Sequence, residues 1–163
     1  MKNVISFIGV IPFCFSTGCE KNESPNNLNG VTFTRILSEA GGDYELDSNI
    51  VNYDEIIGYD STEYIFLLSE KAGERIRSKN YPVSPIRFAI AVYGDVIYIA
   101  NFIPGYSSIS CEYCITIEPY SYDNKYRVVL GYPGSDYYSG IDPRNDERII
   151  KILKRDNKLI NID

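Results

Sequence analysis

The feature that most constrains the fold is a pair of apolar segments joined by a tight turn. Residues 86–93 (IRFAIAVY) are apolar at odd and even positions alike. A strand of this kind is covered on both faces, which is typical of the centre of a sheet. The turn Tyr93-Gly94-Asp95 leads into a second strand-like segment, residues 96–102 (VIYIANF), which predicts an antiparallel hairpin. A chain with this hairpin in its middle is expected to fold around a sheet.

Further strands are predicted on both sides of this hairpin. The segment EYIFLL is apolar on both faces, and the segment that begins at Tyr113 alternates. The alternation predicts that Tyr113, Ile115 and Ile117 share the buried face. The strands predicted in addition to the hairpin cover residues 31–37, 63–68, 113–118 and 126–130.

Two helices are expected. Ser69 is a suitable N-cap for residues 70–79, which begin with an acidic residue and end with basic ones, as the helix dipole favours. The second helix is predicted to start after Asp142 as cap, with Pro143 at its first position. The predicted class is α+β, with a single mixed or antiparallel sheet of about five to six strands and two helices.

Composition limits the chemistry. The 163 residues are enough for about one domain, and they include 16 basic and 22 acidic side chains but no His. The absence of His excludes Ser-His and Cys-His dyads and every His-ligated zinc site. The acidic balance argues against nucleic acid as a partner. We therefore expect no cofactor and no recognisable catalytic constellation.

An apolar segment near the N-terminus precedes a cysteine. Residues 4–15 are uncharged and apolar, and the small residues 16–18 lead to Cys19. This segment is shorter than the roughly 20 residues of a membrane-spanning helix, which predicts the core of a signal peptide. The small residues before Cys19 resemble the lipobox of bacterial lipoproteins, in which cleavage precedes the cysteine and acyl chains such as palmitate are attached to it. Cleavage without lipidation, which gives a secreted protein with a free Cys19, stays open.

This pattern predicts three parts of the chain. Residues 1–18 form the signal peptide, residues 19–30 the lipidated Cys19 and a flexible tether, and residues 31–163 a single α+β domain. The tether is too polar to fold and spans about 18 Å on average as a flexible chain. The resemblance implies an exported protein that acyl chains on Cys19 hold on a bacterial membrane, facing the periplasm or the cell surface. Without Lys2 the mature chain has 15 basic and 22 acidic side chains, so the protein is not expected to be pulled electrostatically onto anionic lipid, and the acyl chains alone are expected to hold it on the membrane.

A second resemblance concerns the domain itself. The segments LLSEKAGERI (residues 67–76) and FAIAVYGDVI (residues 88–97) form a strand-helix unit and a hairpin. They are similar to the first periplasmic head domain of the SecD translocase subunit, and the chain also resembles small bacterial lipoproteins with such a head-like domain. The resemblance implies a compact α+β head outside the cytoplasmic membrane, and it does not imply translocase activity.

Cys111 and Cys114 have the spacing of a disulfide, redox or metal pair. Within a regular strand their side chains would point to opposite faces, too far apart for a disulfide. A disulfide therefore requires a turn at Glu112-Tyr113. A structural disulfide and two separate reduced thiols are the leading alternatives, followed by redox or metal chemistry, and lipidation of Cys19 in an oxidising compartment supports the disulfide.

The stretch between Arg35 and Lys71 contains nine acidic residues and no basic one. Part of it has the spacing of a calcium-binding loop, although Ser48 stands where an EF-hand has Gly. The interpretation without a bound ion, a solvated acidic loop, is favoured. The residues of the weak calcium candidate are Asp43, Glu45, Asp47, Asn49 and Asp54.

Tyrosine is the most unusual component of this sequence. Ten of the 15 Tyr residues lie between Tyr93 and Tyr138, several of them in predicted loops with Ser and Gly. This composition is typical of recognition surfaces, because the ring offers contact area at little entropic cost. The bland alternative is that Tyr98 and Tyr126 are core-edge residues and that Tyr replaces the missing Trp. The predicted binding surface comprises Tyr106, Tyr120, Tyr122, Tyr132, Tyr137 and Tyr138.

These observations predict a lipid-anchored, non-enzymatic module that binds a protein or envelope component through its Tyr-rich loops. The alternative is a carboxylate-based hydrolase acting on envelope glycan, with the acidic stretch and the Tyr loops forming a cleft.

Overall fold

The computed structural model describes residues 29–162, which form one mixed sheet of eight strands with two α-helices and two 3₁₀ turns. The α+β class, the single mixed sheet and the two helices are confirmed, but the predicted number of five to six strands is wrong. The strands are β1 (Val31–Ala40), β2 (Asp43–Val51), β3 (Ile56–Asp60), β4 (Ile65–Leu68), β5 (Ile86–Val92), β6 (Asp95–Phe102), β7 (Cys111–Ile117) and β8 (Lys125–Tyr132). The helices are α1 (Glu70–Arg77) and α2 (Glu147–Arg155), and the 3₁₀ turns are Tyr53–Glu55 and Ser135–Tyr137.

The two strands missing from the prediction, β2 and β3, both lie in the acidic stretch. They form the two edges of the sheet, whose order is β2-β1-β5-β6-β7-β8-β4-β3. An edge strand needs only one partner, and exposed charges on it discourage pairing with other chains. The acidic residues of β2 are therefore compatible with a strand, although their sequence suggests a loop.

The predicted hairpin is confirmed as β5 and β6, which pair antiparallel at the centre of the sheet. β5 also pairs with β1, and β6 pairs with β7 in the only parallel ladder among the described residues. That ladder is short, with Asn101 opposite Thr116 and Phe102 opposite Ile117. The loop that follows β6 therefore returns along the sheet before β7 begins.

The sheet curls strongly around its core. β1 and β4 are five strand spacings apart in the sheet order, which is about 24 Å in a flat sheet. Nevertheless the rings of Phe33 in β1 and Phe66 in β4 are in edge-to-face contact, with centroids 5.1 Å apart. The two edges are also joined directly by the 3₁₀ turn Tyr53–Glu55. The result is a half-barrel whose concave side encloses the core.

Aromatic rings fill this concave side. Phe88 stacks on Phe102 with ring centroids 4.2 Å apart, and Phe33 stacks on Phe88 at 5.5 Å. All three side chains are fully or almost fully buried. Such rings contribute a large apolar area and an additional 0.5–1.5 kcal/mol or so for each well-oriented pair. The helices close the core with Ala72 and Ile76 from α1 and with Ile149, Ile152 and Leu153 from α2.

The first helix begins as predicted, but the second does not. Ser69 caps α1 by accepting a hydrogen bond from the backbone N–H of Ala72. α2 begins at Glu147, and its cap is Asp146 rather than Asp142. After Asp142 the chain forms a turn, in which the backbone N–H of Asp146 donates to the carbonyl of Pro143, and Asp142 forms an ion pair with Arg144.

The β1–β2 hairpin bends back toward the β5–β6 turn. Val31, at the start of β1, pairs with Val92, so the tip of a straight hairpin would lie about 30 Å away from that point. Instead, Tyr44 near the tip and Gly94 in the β5–β6 turn line the same cleft. Three irregularities in the β1–β2 ladder accommodate the bend, as β-bulges do.

The C-terminal segment covers the β3 edge. Tyr59 donates its backbone N–H to the carbonyl of Lys158 and accepts a hydrogen bond from the backbone of Ile160. The Asp60 carboxylate, almost fully buried, accepts hydrogen bonds from Thr62 and from the backbone N–H of Ile162. These hydrogen bonds, above all that of Thr62, lower the pKa of Asp60. The segment after α2 is therefore fastened to the sheet.

Candidate functional site

Two of the predicted tyrosines meet where the loop after β6 approaches the turn between β7 and β8. The rings of Tyr106 and Tyr120 lie 6.3 Å apart, centroid to centroid, and Tyr120 also packs edge-to-face on the buried Tyr81. Tyr106 is 63% exposed, and Tyr122, in the same turn as Tyr120, is 93% exposed. We call Tyr106, Tyr120 and Tyr122 the tyrosine patch.

The exposed ring of Tyr106 is held in place. Its hydroxyl donates a hydrogen bond of 3.0 Å to the carbonyl of Tyr81. Next to it, the Ser107 hydroxyl donates to the carbonyl of Val83. The neighbouring Tyr120 hydroxyl raises the pKa of Tyr106, so this phenol is neutral at physiological pH. Tyr106 thus presents a fixed aromatic surface rather than a mobile side chain.

A second pair of the predicted tyrosines lines a separate cleft. The start of β7 and the 3₁₀ turn Ser135–Tyr137 border an open cleft of about 360 Å³. Its lining combines two carboxylates with hydroxyl groups and contains no basic side chain. We call this space the acidic cleft, and its lining residues are Glu112, Asp136, Tyr137, Tyr138 and Ser139.

The wall of the acidic cleft that carries Glu112 is shaped by the Cys-x-x-Cys segment. The structure joins Cys111 and Cys114 in a disulfide, with Cα atoms 5.8 Å apart. Tyr113 between them has a positive φ of 60°, and the β7–β8 ladder is irregular from Cys111 to Ile115. The turn at Glu112-Tyr113 that a disulfide requires is therefore present. It also turns Tyr113 out of the strand alternation, so the prediction that Tyr113 is on the buried face is wrong, and its side chain is 66% exposed.

The opposite wall depends on a glycine. Gly131 has a φ of +69°, which L side chains rarely adopt, and a Cβ atom there would lie 2.6 Å from the carbonyl oxygen of Gly134. Gly131 is the last residue but one of β8, just before the chain turns toward Ser135–Tyr137. Asp136 and Tyr137, which follow this close approach, line the same cleft as Glu112.

Not all of the predicted tyrosines offer free hydroxyl groups. Tyr132 is the last residue of β8 rather than a loop residue, and its hydroxyl donates to the carbonyl of Ser107. The Tyr138 hydroxyl donates to the carbonyl of Ile141. Both residues are only partly exposed. Their hydroxyl groups secure the loops, whereas Tyr137, 45% exposed, is free to offer its ring.

The calcium candidate is not assembled. Asp43, Glu45, Asp47 and Asn49 belong to β2, where alternate residues are about 7 Å apart along the strand, so they cannot surround one ion. Asn49 instead accepts a hydrogen bond from Thr34, and Asp54 lies beyond the strand in a 3₁₀ turn. Within residues 29–162, no three acidic or Cys side chains are arranged to hold a metal ion.

One buried carboxylate, that of Glu55, is held by several hydrogen bonds and has a structural role. Glu55 is buried and accepts hydrogen bonds from Arg75 and from the backbone of Asn52. Burial alone would raise the pKa of Glu55, but these partners lower it below its ordinary value. Arg75 also donates twice to the carbonyl of Ile50. The cluster joins α1 to the end of β2 and does not face either candidate site.

Cys19 and the rest of the lipobox-like segment lie outside the described residues. In residues 29–162, no helix is both long enough and apolar enough to cross a membrane. Comparisons with protein-family models, with curated proteins and with solved structures found no match for this chain.

Sequence reasoning missed three residues of this region. Glu112, Asp136 and Tyr113 were not among the candidate residues, although the first two form the acidic part of the cleft. The Cys-x-x-Cys spacing could have indicated Glu112 and Tyr113, because a disulfide between Cys111 and Cys114 turns the two residues between them outward. No sequence pattern indicated that Asp136 lines the same cleft as Glu112.

Proposed function

We propose that this protein is an exported lipoprotein, anchored through Cys19, whose domain binds a protein or another envelope component without catalysing a reaction. The observation that supports this most directly is the exposure of the fixed ring of Tyr106, which lies beside Tyr120. Exposed rings that are held rigidly are typical binding anchors, because little conformational entropy is lost when a partner covers them.

The acidic cleft is a second, independent observation that supports the same proposal. Two carboxylates and the hydroxyl of Ser139 accept hydrogen bonds, and Tyr137 offers an exposed ring next to them. A ligand group that is rich in hydroxyl or ammonium donors would fit such a lining, whereas an anionic group would be repelled. Sugar rings of envelope glycans and lysine-rich protein segments both meet this requirement.

The resemblance to the SecD head domain supports a location outside the cytoplasmic membrane, facing the periplasm or the cell surface. The acidic net charge supports a partner other than nucleic acid. Together with the lipobox-like segment, these features favour a domain displayed at a membrane surface over a diffusible enzyme.

The proposal is tested by crosslinking in intact membranes. The Tyr106→Ala/Tyr122→Ala and Tyr137→Ala variants are compared with the wild type, and Tyr44→Ala on the β1–β2 hairpin is the matched control. We expect the patch or cleft variants to lose the crosslinked species and the control to keep it, with all proteins folded by circular dichroism. If every association survives in both sets of variants, the tyrosine-rich loops are not the binding surface.

A glycan hydrolase is the second candidate, and the presence of both Glu112 and Asp136 in the lining of one cleft is the observation that favours it. Glycosidases use two carboxylates on opposite sides of the scissile bond. Glu112→Gln and Asp136→Asn would each abolish turnover of purified envelope glycan if this candidate is correct. Absence of turnover by the wild-type protein, together with retained glycan or protein binding, would exclude it.

A further inference from the structure

A cleft with a different character lies between α2 and the β5–β6 turn. It has a volume of about 380 Å³ and an apolar floor formed by Val92 and Ile152. Its rim carries three basic side chains from one side of α2, together with one acidic and one aromatic residue of the turn. The rim residues are Arg148, Lys151, Arg155, Asp95 and Tyr93.

The chain enters the domain beside this cleft. The backbone N–H of Tyr93 donates to the carbonyl of Gly30, at a distance of 3.0 Å, and Val31 pairs with Val92. Gly30 is packed against the ring of Tyr53, whose hydroxyl reaches Asp156 just after α2 at 2.7 Å. Cys19 precedes Gly30 by only eleven residues, so a lipid anchor at Cys19 would keep this end of the domain within about 40 Å of the bilayer.

The charge at this end differs from that of the rest of the chain. Residues 146–158 contain five basic and three acidic side chains, although acidic residues predominate in the chain as a whole. Asp146 pairs with Arg148 and Asp156 pairs with Arg155. Lys151 on the rim is exposed, and it takes part in no ion pair among residues 29–162. Lys154, one turn further along α2, is likewise exposed.

Tyr93 completes the surface. It is 49% exposed, and its hydroxyl accepts a hydrogen bond of 2.7 Å from Arg155. A tyrosine flanked by basic residues is the combination found where proteins touch the interface of a membrane, because the ring enters the headgroup layer while the cations meet phosphates.

We propose that this surface, formed by Tyr93, Lys151 and Lys154, contacts the anionic phospholipid headgroups of the membrane and orients the domain on it. The orientation follows from charge and from the position of the tether, because the basic segment faces the bilayer and the acidic remainder is repelled from it. The tyrosine patch and the acidic cleft belong to other loops and stay available to a partner. The inference rests on the proposed anchor at Cys19 for its setting, but not for its test.

The test uses the chain from residue 19 onward with Cys19→Ser, so that no acyl chain contributes. Sedimentation is measured with vesicles of phosphatidylcholine alone and with vesicles that also contain phosphatidylglycerol. The Lys151→Gln/Lys154→Gln variant is compared with Lys71→Gln/Lys79→Gln, which removes the same charge from the other helix region. We expect binding to the anionic vesicles only, weakened by salt, and reduced about fivefold for each lysine removed from α2 but not for the control.

Equal binding to both kinds of vesicle, or equal losses in the two variants, would overturn the proposal. A second measurement uses the acylated protein in the same vesicles and the reaction of lysines with an amine reagent. We expect Lys151 to react more slowly with the reagent than Lys71 when the protein is bound to anionic vesicles, and not when it is bound to neutral ones. Equal labelling of the two lysines would exclude the orientation. A failure of lipidation would be seen in the mass of the native protein, independently of either vesicle measurement.

Discussion

Replacing Tyr by Phe removes one hydroxyl group, and two buried tyrosines allow this change to be compared with and without a hydrogen-bond partner. The hydroxyl of Tyr98 in β6 is buried and has no hydrogen-bond partner among the described residues. The hydroxyl of Tyr59 in β3 is also buried, but it donates to the carbonyl of Arg144 at 3.0 Å and lies 3.2 Å from the Asn145 side-chain oxygen. We predict that Tyr98→Phe stabilises the domain and that Tyr59→Phe destabilises it.

The magnitudes follow from the cost of burying polar groups. An unpaired buried hydroxyl costs about 1–3 kcal/mol, and Tyr98→Phe removes that cost without a change in the ring. Tyr59→Phe loses a hydrogen bond and leaves a carbonyl without its donor, a loss of about 1–2 kcal/mol. The two variants should therefore differ by about 2–5 kcal/mol in the free energy of unfolding. Because burial raises the pKa of both phenols, neither ionises near neutral pH and disturbs the comparison.

The assay is urea unfolding at pH 7, followed by circular dichroism, with both variants and the wild type at equal protein concentration. Equal slopes with shifted midpoints would show that stability alone has changed. If Tyr98→Phe lowers stability as much as Tyr59→Phe does, the Tyr98 hydroxyl has a partner such as a buried water, and the reasoning is refuted.

Three further variants test other parts of the structure. Asp60→Asn should lower the free energy of unfolding by a constant amount near neutral pH. This loss should shrink as the pH falls below 3.8, the ordinary pKa of an Asp carboxyl, because the pKa of Asp60 is lowered only in the folded state. A loss that grows as the pH falls would contradict this. Cys111→Ser/Cys114→Ser should cost roughly 2 kcal/mol, from the chain entropy of a four-residue loop, and an unchanged melting curve in reductant would argue against the bond. Gly131→Ala should cost about 1–3 kcal/mol, whereas Gly134→Ala, which has open space around it, should be nearly neutral in the same thermal melts.

The central part of the sheet could be predicted because its strands are apolar and their turns are explicit. β5 and β6 carry their own hairpin signal, and Ser69 identifies the start of α1. β2 was missed because its alternating acidic side chains resemble a solvated loop, and only its position at the sheet edge makes those charges tolerable. Asp142 and Asp146 are equivalent caps by sequence, and each pairs with the arginine two residues later. The choice between them depends on tertiary contacts of the intervening turn, in which Arg144 donates to the carbonyl of Val128 and lies over the ring of Tyr64.

The candidate sites were predicted less completely than the fold. The composition of the loops identified Tyr106 and Tyr137 as exposed, and the structure has them so. It did not reveal that the ring of Tyr120 lies against that of Tyr106 or that Glu112 and Asp136 line one cleft, because both arrangements depend on how distant segments meet when the sheet curls. Local sequence patterns contain no information on such meetings.

The anchor at Cys19 is the claim on which the proposed role most depends, and the intact mass of the protein extracted from its own membranes tests it most directly. If Cys19 is the anchor, we expect a chain that begins at Cys19 and carries the additional mass of acyl chains. A chain without acyl groups, recovered from the soluble fraction, would contradict it and would turn the search from membrane partners to diffusible ligands.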